Sequence, residues 1–297
     1  MGLLLKTGLR PMETGNLPEG MTLDEDTFLQ LRDIIYRESG IFIQEQKKYL
    51  LETRLIKRLK ALKLNSFKDY MKHLKNGNLN TPEYRYLLDA ITINETSFFR
   101  NTPQLQAFEK VVFPELVNLA RENGRRQIRI LSAGCSSGEE PYTLAMILHR
   151  RFPTVLQEFQ LEIIGFDISQ EVLQNALKGE YSQFSIRNVP EEYFKAYFAR
   201  NGNRFLLKDE IKNMVKFYRA NLMDGLQLKR MGVFDLIFCR NVLIYFDKDS
   251  KKKAIQNLYN VLHPKGYLFI GHSESLHGVS HAFKLVLFNK AIAYKKE

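Results

Sequence analysis

The stretch from Ile128 to Arg150 constrains this chain more than any other. A strand-like run, Ile128 to Leu131, leads through Ser132-Ala133-Gly134-Cys135-Ser136-Ser137-Gly138 to Glu139-Glu140-Pro141-Tyr142 and a helix-like run from Thr143 to Arg150. A strand, a glycine-bearing turn and a helix in that order let backbone approach a nucleotide-type cofactor in α/β folds. The glycines do not spell the dinucleotide fingerprint G-x-G-x-x-G. Two glutamates at the helix start would also repel a pyrophosphate competing for the positive end of the helix dipole. They suit a ligand that presents an ammonium group. Ile163-Ile164-Gly165-Phe166-Asp167 reads as a second strand ending in a carboxylate, where such folds hold ribose hydroxyls. S-adenosylmethionine carries both groups, so the turn points toward methyl transfer.

A chain of 297 residues has room for one large domain and one small one. No apolar run is long enough to cross a bilayer, and the N-terminus lacks the ordered sections of a signal peptide, so membrane insertion is not expected. Cys135 and Cys239 are the only cysteines, which argues against a disulfide framework and for a reducing, cytoplasmic setting. The net charge of +11 calls for an acidic partner, whether nucleic acid, anionic lipid or an acidic protein surface. Much of the excess lies between residues 41 and 80, where ten Lys and Arg face only Glu45, Glu52 and Asp69.

Residues 1–22 are Gly- and Pro-rich without periodicity and read as a flexible tail. Residues 23–92 read as a small helical domain: Asp26 to Glu38, Gln46 to Lys63 with a leucine stripe, a helix capped by Ser66, and one begun by Thr81-Pro82. Pro103 to Arg121 reads as a helix leading into a larger domain spanning 93–297. There, strand candidates at Gln127–Ser132, Leu161–Asp167, Val215–Ala220, Phe234–Cys239 and Tyr267–Gly271 alternate with helices, which predicts a mostly parallel, doubly wound sheet. Phe283–Tyr294 reads as a terminal hairpin. Asn201-Gly202-Asn203 marks a turn inside a small β-hairpin insertion near 181–213.

Three further blocks bear on the reading. They are Ile93-Asn94-Glu95-Thr96-Ser97-Phe98-Phe99-Arg100-Asn101, Phe238-Cys239-Arg240-Asn241-Val242-Leu243-Ile244-Tyr245-Phe246 and Gly271-His272-Ser273-Glu274. With the glycine turn they closely resemble the chemotaxis receptor glutamate O-methyltransferases, the CheR family, from about residue 25 to the C-terminus. The resemblance implies a Rossmann-like class I methyltransferase domain behind an all-helical one. It implies conversion of S-adenosylmethionine to S-adenosylhomocysteine, with no metal. The partners it implies are the cytoplasmic helices of chemoreceptors, methylated on glutamates for sensory adaptation, and the enzyme is expected to be a monomer. It assigns Glu140 to the methionine ammonium, Asn94 and Thr96 to positions lining the cofactor, and Asn221-Leu222 to the adenine; Arg240-Asn241, at the carboxyl edge of the fourth strand where α/β sites gather, and Arg100 are read into the same pocket. It also assigns Arg54, Lys57 and Arg58, on a basic helix face, to the receptor. In some members the β insertion docks a tethering peptide of the receptor; the short turn here argues against that.

The residues themselves add a chemical argument. A carboxylate is already ionised at pH 7, so its methylation needs orientation and no general base. Arg100 can fix a carboxylate and Tyr245 can add a hydrogen bond, while Gly134 allows close backbone approach and Asp167 suits the ribose. Plainer roles stand beside these: a dipole-favoured acid for Glu140, a turn residue for Asp167 or Asn221, a surface ion pair for Arg100, a half-buried aromatic for Tyr245. His272 and Glu274 read as structural. Two rival functions remain. A nucleic-acid methyltransferase would suit the charge, but the residues after the fourth strand are Cys239-Arg240-Asn241-Val242, not the Asn/Asp-Pro-Pro-Tyr/Phe of base amino methylation, and the chain has no Trp for stacking. A non-catalytic regulator that binds the same cofactor is the second.

Overall fold

The computed structural model describes residues 21–76, 81–92 and 94–297; most of the expected tail, residues 1–20, and Ile93 lie outside them. Four helices come first: α1 (Glu25–Ser39), α2 (Lys48–Leu62), α3 (Phe67–Asn76) and α4 (Pro82–Ile91). Local chemistry sets their ends. Asp24 caps α1 by accepting from Thr27 N at 3.0 Å. Gly40 closes the same helix in the left-handed region, its N–H on Tyr36 O. Pro82 stands in the first turn of α4. Phe28, Leu31 and Ile35 of α1, Leu51, Leu55 and Leu59 of α2, Tyr70 of α3 and Leu87 of α4 share one core, each stripe at helical spacing.

Helices α5 (Thr102–Ala107) and α6 (Phe113–Glu122) are joined through Phe108–Val112, a π-helical segment in which Phe113 N bonds Phe108 O. The sequence pattern anticipated one regular helix here. The chain continues through β1 (Gln127–Ala133), α7 (Glu139–Arg151), α8 (Pro153–Glu158), β2 (Gln160–Asp167) and α9 (Gln170–Lys178). The insertion contains β3 (Glu180–Tyr181), α10 (Gln183–Ile186), α11 (Glu191–Tyr197), β4 (Phe198–Asn201), β5 (Arg204–Leu207) and α12 (Asp209–Lys212). Then come β6 (Val215–Arg219), α13 (Gly225–Arg230), β7 (Phe234–Cys239), α14 (Lys248–Asn260), β8 (Leu262–Ile270), β9 (Phe283–Phe288) and β10 (Ala291–Lys296).

The large sheet has the order β6-β2-β1-β7-β8-β10-β9. Its first five strands run parallel, and the terminal hairpin closes the edge antiparallel. The chain enters at β1, winds outward through β2 to β6, and crosses back to β7 on the other side. That reversal opens a crevice between β1 and β7 at their carboxyl ends. Side chains alternate across the sheet: Ile128 and Ile130 join a core with Phe113 and Leu144, while Leu131 and Ala133 join a second core with Leu228 and Ile255. Strand β8 begins earlier than the expected Tyr267, because a register shift opposite Phe234/Leu236 absorbs Pro264, Lys265 and Gly266.

In the insertion the hairpin gains a third short strand, giving the order β3-β5-β4. It serves as a brace. Phe98 packs between Tyr181 and Phe198, with ring centroids 4.7 and 5.1 Å away, and Phe98 N donates to Ser185 O. The helical domain is stitched to the sheet domain at the turn after α1. Ile41 forms an antiparallel bridge with Phe246, Phe42 N donates to Tyr245 O at 3.0 Å, and Tyr36 OH donates to Asp247 Oδ2 at 3.0 Å.

Candidate cofactor site and active-site mouth

A cavity of about 290 Å³ lies at the carboxyl ends of β1, β2 and β7. Asn94, Thr96, Arg100, Gly134, Glu140, Asp167, Asn221, Leu222, Arg240, Asn241 and Tyr245 all line it. Ser39, Ile41 and Ile91 of the helical domain complete one wall. Arg54, Lys57 and Arg58 do not reach the lining.

The turn after β1 folds around backbone contacts to β2. Gly134 N and Cys135 N both donate to Phe166 O, at 2.8 and 2.9 Å. Gly134 has φ of +71°, and a Cβ there would stand 2.5 Å from Val242 Cγ2, so both the conformation and the space require glycine. Ser136 is left-handed as well, at φ 50°. It is held there by its N–H on Asp167 Oδ2 (2.9 Å) and its hydroxyl on Asn94 O (3.1 Å). Asp167 accepts a second backbone N–H, from Ser169 at 3.0 Å. Burial pushes its carboxyl above the usual aspartate range, and these two N–H donors pull it part of the way back. Asn241, which lines the same cavity, is left-handed too, and Phe99 and Asn101 take that conformation on either side of the lining residue Arg100, a concentration of backbone strain of the kind found at functional sites.

Glu140, in the first turn of α7, takes a hydrogen bond from Ser132 Oγ at 2.6 Å and lies 3.3 Å from Arg240 NH1. Burial lifts its carboxyl above the usual glutamate range; Arg240, Ser132 and then Arg100 oppose that shift. Arg240 is itself buried at the end of β7, with NH2 on Arg100 O at 2.6 Å. Its Nε has no partner. An unpaired buried N–H costs on the order of 1–3 kcal/mol, and this one is shielded from the open cavity. Asn221 is engaged differently from a free ligand residue. Its Nδ2 donates to Glu38 O (2.5 Å) and its Oδ1 accepts from Met223 N (2.9 Å), so it ties the end of α1 to the cavity wall.

Tyr245 ends a short 3-10 turn, Leu243–Tyr245, beyond β7. Burial raises its phenol above the ordinary value, while Arg100 and Arg54 oppose that shift. Arg100 and Tyr245 both line the cavity, while Arg54 stays outside its lining. Arg100 is exposed, and its NH1 donates to Glu95 O at 3.2 Å. Arg54 is half-buried, with NH1 on Ile91 O. The three basic residues assigned to the receptor do not form one free face. Lys57 is exposed. Arg58 is committed to its own domain: NH2 lies 2.6 Å from Glu83 Oε2 and the guanidinium 4.1 Å from the Tyr86 ring centroid. Tyr70 OH donates to the other Glu83 oxygen at 2.9 Å.

Several residues that build the site carried no assignment from sequence. Ser132 is a polar side chain inside an apolar strand, a readable signal. Thr143 orients Phe99 by accepting its N–H at 3.1 Å. Gln104 donates to Ile270 O at 2.8 Å from 166 residues away, which no local pattern could reveal.

The parallel sheet, the acid-headed α7 and the carboxylate ending β2 together define a class I methyltransferase. Residues 94–292 match the family model "CheR methyltransferase, SAM binding domain", and residues 26–92 match "CheR methyltransferase, all-alpha domain". The chain belongs to the CheR methyltransferase family and is an S-adenosylmethionine-dependent methyltransferase. It is 36% identical over 277 residues to chemotaxis protein methyltransferase 2 of Vibrio cholerae, covering 93% of this chain and 94% of that one. Identity is 37% over 262 residues with the chemotaxis protein methyltransferase of Borreliella burgdorferi, covering 87% and 91% respectively. The corresponding values for Cher2 of Pseudomonas putida are 33% over 291 residues, 96% and 99%. Among the described residues, no group of His, Cys, Asp and Glu could hold a metal ion, and no helix is long and apolar enough to cross a membrane.

Proposed function

We propose that this protein transfers a methyl group from S-adenosylmethionine to glutamate side-chain carboxylates on the cytoplasmic helices of chemoreceptors. The products are glutamyl methyl esters, which adjust receptor signalling, and S-adenosylhomocysteine. We place it in the cytoplasm, acting as a monomer. One observation carries the reading: a single cavity joins an acid-lined interior, Glu140 and Asp167, to Arg100 and Tyr245, which line it as well. The named activity of the relatives points the same way.

The interior fits the cofactor. Glu140 would hold the ammonium group, the Arg240 guanidinium would line the pocket beside it, and Asp167 would hold the ribose hydroxyls. Asn94, Thr96, Gly134, Asn221, Leu222 and Asn241 would form the walls. When bound, S-adenosylmethionine supplies a methyl group on a cationic sulfur, which a carboxylate oxygen displaces with the bonding pair leaving on sulfur. Arg100 would orient the incoming carboxylate, and Tyr245, kept a neutral phenol by burial, would donate to it. Lys57 and the exposed lysines of α2 would attract an acidic receptor helix, while Arg58 acts by holding the helical domain together. Neutralising receptor carboxylates would bias a signalling equilibrium between helix arrangements.

The test is transfer of labelled methyl from S-adenosylmethionine to receptor cytoplasmic fragments, followed by release in mild base. The expected result is base-labile label in wild type and its loss in Arg100→Ala with the fold intact. Base-stable label would assign a different acceptor group. Tight cofactor binding without label on any receptor fragment would favour the regulator.

A further inference from the structure

The segment Gly271-His272-Ser273-Glu274 has no part in the chemistry above, yet it places a carboxylate inside the protein. Glu274 is only 7% exposed. Its Oε2 accepts from Gly271 N at 2.5 Å and from Asn241 N at 3.0 Å, and its Oε1 accepts from Ile244 N at 3.1 Å. These donors belong to two different loops, the ones leaving β7 and β8. Asn241 has φ of 61°, a strained conformation that persists only where surrounding contacts impose it. The fit leaves no slack: a Cβ on Gly271 would stand 2.6 Å from Glu274 Oε2 and 2.9 Å from Asn241 N. Along the loop so held, Arg240 and Asn241 line the cavity and Tyr245 stands at its mouth.

We propose that Glu274 is a positioning residue for methyl transfer, a buried clamp that sets Asn241 on the cofactor side and Tyr245 on the acceptor side at once. The inference rests on reading the cavity as the cofactor site. Replacement by glutamine keeps the shape but breaks the match. Three N–H donors cannot all be satisfied by a group with one oxygen and one NH2, so at least one donor meets another donor.

The experiment compares Glu274→Gln and Glu274→Asp with Glu83→Gln, a buried carboxylate in the helical domain away from the cavity. Melting temperature, the dissociation constant for S-adenosylhomocysteine, and kcat and KM for receptor methylation are measured for each. The expected result for Glu274→Gln is binding and kcat each weakened by about tenfold, the loss of one well-made hydrogen bond to a charged group. KM for the receptor should stay within about twofold, since the docking surface on α2 is untouched. Glu83→Gln should lose melting temperature and keep wild-type binding and turnover. If Glu274→Gln does not fold, Glu274→Asp, which keeps the charge and shortens the reach, is judged by the same criteria. Wild-type binding and kcat in a Glu274 variant would overturn the proposal, whatever happens to the melting temperature. The binding measurement needs no receptor, so a failure of receptor methylation in the wild type would count against the functional reading and leave this test standing.

Discussion

At the scale of single residues, Glu140 contributes to the response to pH. Its carboxyl is raised from the ordinary 4.5 mainly by burial. A raised acid binds its proton more tightly in the folded state. Its contribution to stability is therefore full below the unfolded value and is lost as pH climbs through the folded one. An ammonium group brought beside Glu140 favours the ionised form and reverses part of that shift. Binding of S-adenosylhomocysteine at pH values between the ordinary glutamate range and the raised one is thus expected to release protons. Calorimetry in buffers of different ionisation heat reads that count. Glu140→Gln should abolish the release and weaken binding by about tenfold; an unchanged count would move the ammonium elsewhere. Gly134→Ala tests the neighbouring turn. Its Cβ must displace Val242, so cofactor affinity should drop and stability fall by about 1–3 kcal/mol.

At the scale of elements, α2 shows both the reach and the limit of sequence periodicity. The spacing places Leu51, Leu55 and Leu59 in the core, with Arg54, Lys57 and Arg58 beside them, and the structure agrees. Periodicity cannot tell which cation finds an acid elsewhere in the chain. Arg58 meets Glu83, 25 residues on, together with Tyr70. Arg58→Ala should therefore destabilise the helical domain by about 2–3 kcal/mol in urea unfolding, below the full cost of breaking a wholly buried pair because the arginine is partly exposed. Cofactor affinity should hold. Lys57→Glu should instead spare stability and raise KM for the receptor. The strands were legible because β-branched and aromatic runs stand between turn residues. The start of β8 was not, since Pro264-Lys265-Gly266 reads as a break and only pairing with β7 carries the strand across it.

For the whole molecule, charge and connectivity matter most. With a net charge of +11, encounter with an acidic receptor should be steered and salt-sensitive. Raising ionic strength from about 0.05 to 0.5 M should lower kcat/KM for receptor methylation several-fold while S-adenosylhomocysteine affinity changes little. A flat salt profile would deny the basic surface a docking role. The cavity itself was largely readable, because a doubly wound parallel sheet gathers its site at the carboxyl ends of its strands, where Gly134, Asp167 and Arg240 fall. Its wall from the helical domain was not: Ser39, Ile41 and Ile91 approach through long-range contacts such as the Ile41–Phe246 bridge and the bond from Asn221 to Glu38 O.

The π segment at Phe108–Val112 puts a constraint on residue number instead of residue type. One extra residue sits in a helix whose two halves each have fixed work: α6 covers β1, and Gln104 in α5 holds Ile270 O. Val111 is 45% exposed, and Val111→Ala or Val111→Lys should pass unnoticed. Deleting Val111 lets the ladder close as a plain α-helix and turns α5 by about 100° about its axis. Gln104 then leaves its carbonyl, and melting temperature and cofactor affinity should fall together, although no side chain of the cavity has been touched.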